Sequence, residues 1–316
     1  MSKPKLKIVT RTQGNNAAVK NGTVKPAGFE FEFEEVPVLV NAFRRMVRGL
    51  EFDVCEMAIT TYLCAKEHGV KFTALPIFLV RAFHHEAILQ NINAPGRVTD
   101  PRKLEGTRVG VNRGYTVTTG VWARAVLQDE YGIDLSKVNW VLSGDEHVQA
   151  YQPPANVKSI ESGKTIEGLL ASGDLAAAIN IKADDPEIRS MIENPTEAGI
   201  AAFKSRGHYP INHLIAVRDE VLYEYPDVAV AVFNAFTVSK KLYLDKLRNN
   251  KIEKPSEMDL LYKRMMELTD DPLPYGIKPN LPVLNELIKH AHTQQILRKP
   301  VEFKDVFAPS TLDLIG

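Results

Sequence analysis

The sequence predicts an α/β protein of two lobes. Strand-like runs alternate with helix-like runs through the first two thirds of the chain. Two polar segments dense in Gly and Pro, residues 93–106 and 205–213, interrupt that rhythm and read as crossings between lobes. The 316-residue length also exceeds what a single core comfortably fills.

The elements follow from local patterning. LKIVTRT and FEFEFEEV alternate as strands, and residues 38–50 place Phe43, Met46, Val47 and Leu50 on one helical face. FDVC then runs into a helix EMAITTYLCAKEHG, followed by FTALPIF, HEAILQN and RVGVN leading into VTTGVWARAVLQDEYG, then VNWVL and AAAINI. From Asp219 onward the chain reads as amphipathic helices broken at Pro255, Pro272, Pro274 and Pro282. The expected plan is a discontinuous first lobe, residues 1–97 and 206–316, with a second lobe, 98–205, inserted into it and a ligand cleft between them.

Composition narrows the function. With 39 basic and 39 acidic side chains and no basic stripe, nothing marks a nucleic-acid surface. No apolar stretch reaches the roughly 18 residues of a membrane span, and the N-terminal residues lack the apolar core of an export signal, so a cytoplasmic location is expected. Cys55 and Cys64 are the only cysteines and are expected as small buried hydrophobes.

Four stretches carry candidate chemistry. Glu56 follows FDVC, where it either caps the next helix or faces a ligand. GYTVTTGVWAR offers Tyr115, Thr116, Thr118 and Thr119 at a helix start, where free N–H groups suit a carboxylate, with Trp122 and Arg124 in the helix behind. In LVRAFHHEAI, Arg81 precedes His84 and His85 and is a fork suited to a substrate carboxylate. GHYPINHLIAV adds His208 and His213 at the second crossing. No HxH or HExxH spacing supports a metal, so no cofactor is expected, although four histidines with Glu56 leave a divalent ion open. His68, His147, His290 and His292 are expected to be solvated, and SGDEHVQAYQPPANV is expected as a surface loop.

Five long segments, GTVKPAGFEFEF, RRMVRGLEFDVCEMAITTYL, ALPIFLVRAFHHEAI, LEGTRVGVNRGYTVTTGVWARAVLQDEYG and GHYPINHLIAVR, resemble the 4,5-dihydroxyphthalate decarboxylase family. The resemblance implies a type II periplasmic-binding-protein fold. It places the family's acidic position on Glu56, its R-A-F-x-H element on Arg81 and His85, its W-x-R element on Trp122 and Arg124, and its P-I-x-H element on His213. His84 falls on the variable position. The family usually shows a Tyr-Asp pair after the first strand; this chain has TRTQGNNAAV, so Arg11, Asn15 and Asn16 stand near the expected ligand instead.

Two functions follow. One is a cofactor-free decarboxylase of a hydroxylated aromatic acid, with His85 or His213 as the proton donor, Arg81 and Arg124 as carboxylate anchors, and Glu56 either drawing on the phenol or fixing a histidine tautomer. The other is a solute-binding protein of the transporter type for a small aromatic carboxylate. A homo-oligomer is compatible with either.

Overall fold

The computed structural model describes residues 3–182 and 184–316. The chain opens with β1 (Lys5–Val9), α1 (Ala17–Lys20), β2 (Glu30–Phe33), α2 (Leu39–Gly49), β3 (Val54–Ala58), α3 (Ile59–Glu67) and β4 (Phe72–Arg81). It continues through β5 (Ile88–Asn91), β6 (Arg108–Val111), α4 (Thr118–Tyr131), β7 (Asn139–Leu142), β8 (Val157–Ser159), α5 (Ile166–Ser172), β9 (Ala177–Ile179), β10 (Ile188–Ser190) and α6 (Pro195–Arg206). It closes with β11 (Ile211–Arg218), α7 (Asp219–Glu224), α8 (Val228–Arg248), α9 (Glu257–Met265), α10 (Leu281–Thr293) and α11 (Phe303–Val306).

The strands form two sheets. The first has the order β2-β1-β3-β11-β4, with β1 parallel to both β2 and β3, and β11 antiparallel to both β3 and β4. The second has the order β10-β5-β9-β6-β7-β8. The central strand β3 and the edge strand β4 are both almost wholly buried, as strands covered on each face must be. The helix α2 buries Phe43, Met46 and Val47 as expected, with Ala42 beside them, whereas Leu50, expected on the same face, lies just past the helix end and is only partly buried. Glycine closes α4 and α6: Gly132 and Gly207 adopt φ of 69° and 72°, a left-handed conformation that costs glycine no Cβ clash.

Two compact units result. The first comprises residues 1–82, 211–284 and 301–316, and the second residues 83–210 and 285–300. The first crossing thus falls at Ala82, before the predicted segment, because β5 pairs with β9 and β10 of the second sheet. Residues 83–97, and with them His84 and His85, belong to the second unit rather than the first. The C-terminal region also contributes residues 285–300 to the second unit.

Smaller departures have local causes. The strand expected to stop near Phe78 continues to Arg81, held by β11 through the pairing of Ile211 with Arg81. Glu56 lies inside β3 instead of capping a helix, since pairing with β11 extends that strand to Ala58. Pro282 does not break a helix: it occupies the first turn of α10, where its missing N–H would have no intrahelical partner anyway. Both cysteines are buried and free.

Candidate active site

Glu56 and His213 come together because of strand pairing. In the β3–β11 ladder Ile215 lies opposite Glu56, so His213, two residues along on the same face, is the diagonal neighbour of Glu56 and within reach of a long side chain. Glu56 Oε1 accepts from His213 Nδ1 at 2.6 Å. The strand β1 runs on the other side of β3 and ends beside the same carboxylate. Thr10 Oγ1 donates to Glu56 Oε2 at 2.6 Å, and the backbone N–H of Arg11 donates to the same oxygen at 2.9 Å. Gln13 Nε2 donates to Oε1 at 3.1 Å.

These bonds explain the state of the carboxylate. Burial alone would raise its pKa, but hydrogen bonding from His213, the histidine's charge, the Thr10 hydroxyl and the Arg11 charge together hold it below the ordinary carboxylate value. Glu56 is fully buried, whereas the side chain of His213 is 18% exposed and rests edge-on against Phe43 at 5.4 Å. With Nδ1 engaged by a carboxylate, the free nitrogen of His213 is Nε2, and a protonated ring presents an N–H donor there. Asn16 braces the arrangement by donating to Thr10 Oγ1 and to Arg11 O, both at 2.9 Å. Asn15 is also buried, its amide on Leu79 O at 2.8 Å. Of the three residues in place of the family's Tyr-Asp pair, Arg11 is the one that reaches solvent.

Arg81 lies in the same unit but is 2% exposed. Its guanidinium donates to the Asn280 side-chain oxygen, and its backbone N–H donates to the Tyr262 hydroxyl at 3.3 Å. Asn280 is in turn fixed by donating to Pro274 O and Gly276 O. The group anticipated as a ligand anchor is thus held within the core.

The remaining predicted residues belong to the second unit. There His85 Nε2 meets both oxygens of Glu130 at 3.0 and 3.1 Å, and His208 Nδ1 meets those of Glu286 at 2.9 Å. Arg206 joins the two carboxylates, lying 2.7 Å from Glu130 and 3.6 Å from Glu286. His85, His84 and His208 are buried, and the edge of one ring faces the other between His85 and His208 at 6.0 Å. Trp122 is fully enclosed against His208 at 5.5 Å. Of the histidines expected in solvent, His147 and His290 are buried; His290 Nε2 bonds Asp129 at 2.8 Å. Helical sequence near Asp129 does not reveal that α10 will cover it.

The helix start at residues 114–119 does hold an anion, but one from its own chain. The Glu146 carboxylate accepts from the backbone N–H of Tyr115, from that of Thr116 at 3.2 Å and from the Thr116 hydroxyl at 2.6 Å. A Cβ on Gly114 would come within 2.7 Å of that carboxylate, so a larger residue there would push the Glu146 side chain from this position. Thr118 is buried and Thr119 is partly exposed on the first turn. Arg124 is fully buried under the Tyr115 ring, 3.8 Å away, donating to Gln294 and to Tyr115 O. Burial lowers its pKa.

The fold is that of the periplasmic binding proteins. A Candida albicans protein described as having the generic periplasmic binding protein fold aligns with a TM-score of 0.59, 13% identity and 99% of each chain covered. The aliphatic sulphonate binding protein of Escherichia coli aligns at 0.52, with 11% identity over 97% of this chain and 98% of that one. A desulfurization enzyme, DszB, aligns at 0.55, with 13% identity over 98% of each chain. In sequence, the chain is similar to the 4,5-dihydroxyphthalate decarboxylase of Comamonas testosteroni, 26% identical over 341 aligned positions covering 99% of both proteins. The enzyme of the same name from Pseudomonas putida is 32% identical over 170 positions, 49% of this chain and 65% of that one. The resemblance seen in the motifs therefore extends along the whole chain. No family model matches. Among the described residues no helix is long and apolar enough to cross a membrane.

Proposed function

We propose that the protein is a decarboxylase of a hydroxylated aromatic carboxylic acid, acting without oxidation and without a cofactor, in the cytoplasm and in the breakdown of aromatic compounds. The observation that carries this reading is the Glu56–His213 pair, a buried carboxylate fixing the tautomer of a partly exposed imidazole. The decarboxylases similar in sequence supply the reaction class.

Protonated His213 gives the Nε2 proton to the ring carbon that bears the carboxylate, while an ortho or para hydroxyl donates electron density into the ring. The C–C bond then breaks, its electrons restore the aromatic ring, CO₂ departs and the proton stays on carbon. His213 is left neutral and takes its next proton from solvent. The phenolic oxygen accommodates the developing positive charge, so the chemistry asks for no external electron sink. Glu56 acts through His213, stabilising the imidazolium and fixing its orientation, and does not touch substrate. His85, enclosed with Glu130 in the second unit, is given no part in proton transfer.

The test is CO₂ release from a panel of hydroxylated benzoates and phthalates, with and without chelator. His213→Ala is expected to fold and to lose turnover by about 10²-fold or more, and chelator is expected to leave the rate unchanged. Near-normal turnover in that variant would remove His213 as the donor. Saturable binding of an unchanged acid, with no CO₂ from any member of the panel, would instead identify a solute-binding protein.

A further inference from the structure

Glu56 and His213 share a proton across 2.6 Å, and which of them carries it decides what the pair can do. Away from water, a carboxylic acid beside a neutral imidazole is the cheaper arrangement, since a carboxylate and an imidazolium each lose hydration on burial. In that neutral pair the Nε2 proton of His213 would belong to an uncharged ring, a far weaker acid than an imidazolium.

The loop after β1 decides between the two arrangements. Asn16 is fully buried, and backbone groups dictate which way its amide faces. Its oxygen accepts from the Gln13 N–H at 2.8 Å, and a backbone N–H can only donate. Its amide nitrogen therefore faces Arg11 O and Thr10 Oγ1, each at 2.9 Å, with one proton for the carbonyl and one for the hydroxyl. Thr10 Oγ1 thus receives a proton from Asn16 and must send its own elsewhere. Glu56 Oε2 lies 2.6 Å away, whereas Arg11 O, already served by Asn16, lies at 3.3 Å, so the hydroxyl donates to Glu56. Thr10 is 2% exposed, which keeps bulk water from reversing that direction. The other contacts of the carboxylate have the same polarity, from the Arg11 N–H on Oε2 and from Gln13 Nε2 on Oε1. A proton placed on Glu56 would have to displace one of these donors.

We propose that Thr10 and Asn16 are positioning residues that keep the Nδ1 proton on His213 throughout, so that the protonated pair is carboxylate and imidazolium and Nε2 alone gives up and regains a proton. Neither touches substrate. Asn16, expected from the sequence beside a ligand, acts instead through Thr10 and Glu56 on the donor ring. The placement of the proton rests on the geometry of the loop; its consequence for turnover rests on the decarboxylase reading above.

NMR of the full chain carrying ¹⁵N in its histidine rings reads the proton directly, with His213→Ala identifying the signals. Between about pH 9 and about pH 5, either side of the ordinary histidine range, the Nδ1 resonance is expected to stay at its protonated position while Nε2 changes. Thr10→Val, nearly isosteric, removes one donor from Glu56; Asn16→Asp offers the Thr10 hydroxyl an acceptor and turns it away. In each variant Nδ1 should move toward the unprotonated position at the acid end, and kcat should fall about tenfold or more with KM unchanged. Thr10→Ser should restore both. An unprotonated Nδ1 in the parent overturns the proposal, as does a parental Nδ1 signal, or a parental kcat, in both Thr10→Val and Asn16→Asp. The two readings fail separately: Nδ1 signals that move as expected without CO₂ from any acid keep the proton placement and remove the decarboxylase, and CO₂ release with Nδ1 unmoved in the variants does the reverse.

Discussion

Glu56 is a carboxylate taken wholly out of water in the first unit. A fully buried carboxylate persists as an anion because four donors, two from backbone or side chain at the end of β1, one from Gln13 and one from His213, replace the water it lost. Removing it leaves those donors facing nothing, so Glu56→Ala should lose about 3 kcal/mol of stability in denaturant titration. The more informative change is Glu56→Gln, which keeps the volume but loses the charge that stabilises the imidazolium. Turnover should fall while substrate binding holds, the pH profile should move, and Glu56→Asp should restore part of the rate. A loss of stability in Glu56→Gln with an unaltered pH profile would mean that Glu56 only supports the fold. The sequence offered two roles for this residue, and its burial within β3 favours the one that acts through histidine.

In the second unit, three histidine–carboxylate pairs tie α4 and α10 to each other and to the segments before β5 and after α6: His290 with Asp129, His85 with Glu130 and His208 with Glu286. Their acid response has a definite sign. Burial holds the His208 pKa below its ordinary value, so the unfolded chain binds the proton first, and stability falls as pH drops below about 6.5. Asp129, Glu130 and Glu286 are each held below the usual carboxylate range, because their histidine and cationic partners outweigh burial. Their contribution is full above that range and is lost as pH falls through about 4 and below. The protection of amides along residues 285–293 and in α4, relative to their intrinsic exchange rates, should therefore fall in two stages between pH 7 and pH 4, while β3 and β11 stay protected through the first. Uniform protection down to pH 5 would show that the His208 pair does not govern this segment. None of these pairs could be read from sequence: the charge patterns of α4 and α10 look like solvated helix faces until the helices are brought together.

For the molecule as a whole, the division into units follows sheet membership. The chain enters the second unit at Phe83 because β5 hydrogen-bonds to β9 and β10, and it re-enters through residues 285–300. Both cysteines lie in the first unit, Cys55 in β3 and Cys64 in α3, with no accessible surface. Burial raises the Cys55 thiol pKa well above its ordinary value. Thiol labelling should accordingly be negligible in the folded protein and should track unfolding of the first unit alone, even where far-UV signal shows that the second has already melted. Rapid labelling of the native chain would contradict that burial.

Local patterning determined a good deal. The alternating and 3.6-residue periods located most strands and helices, since each element's solvent and core faces are written into its own residues. The long motifs around Glu56, Arg81, Arg124 and His213 marked the fold. Tertiary structure alone decided which of those residues meet. Glu56 and His213 are 157 positions apart and touch because β11 inserts between β3 and β4. Arg81 and Arg124 became enclosed because Asn280 and Gln294, from the far end of the chain, close over them. Periodicity reports which face of an element is buried but carries no information about which distant element buries it; that choice is made by packing of the whole chain.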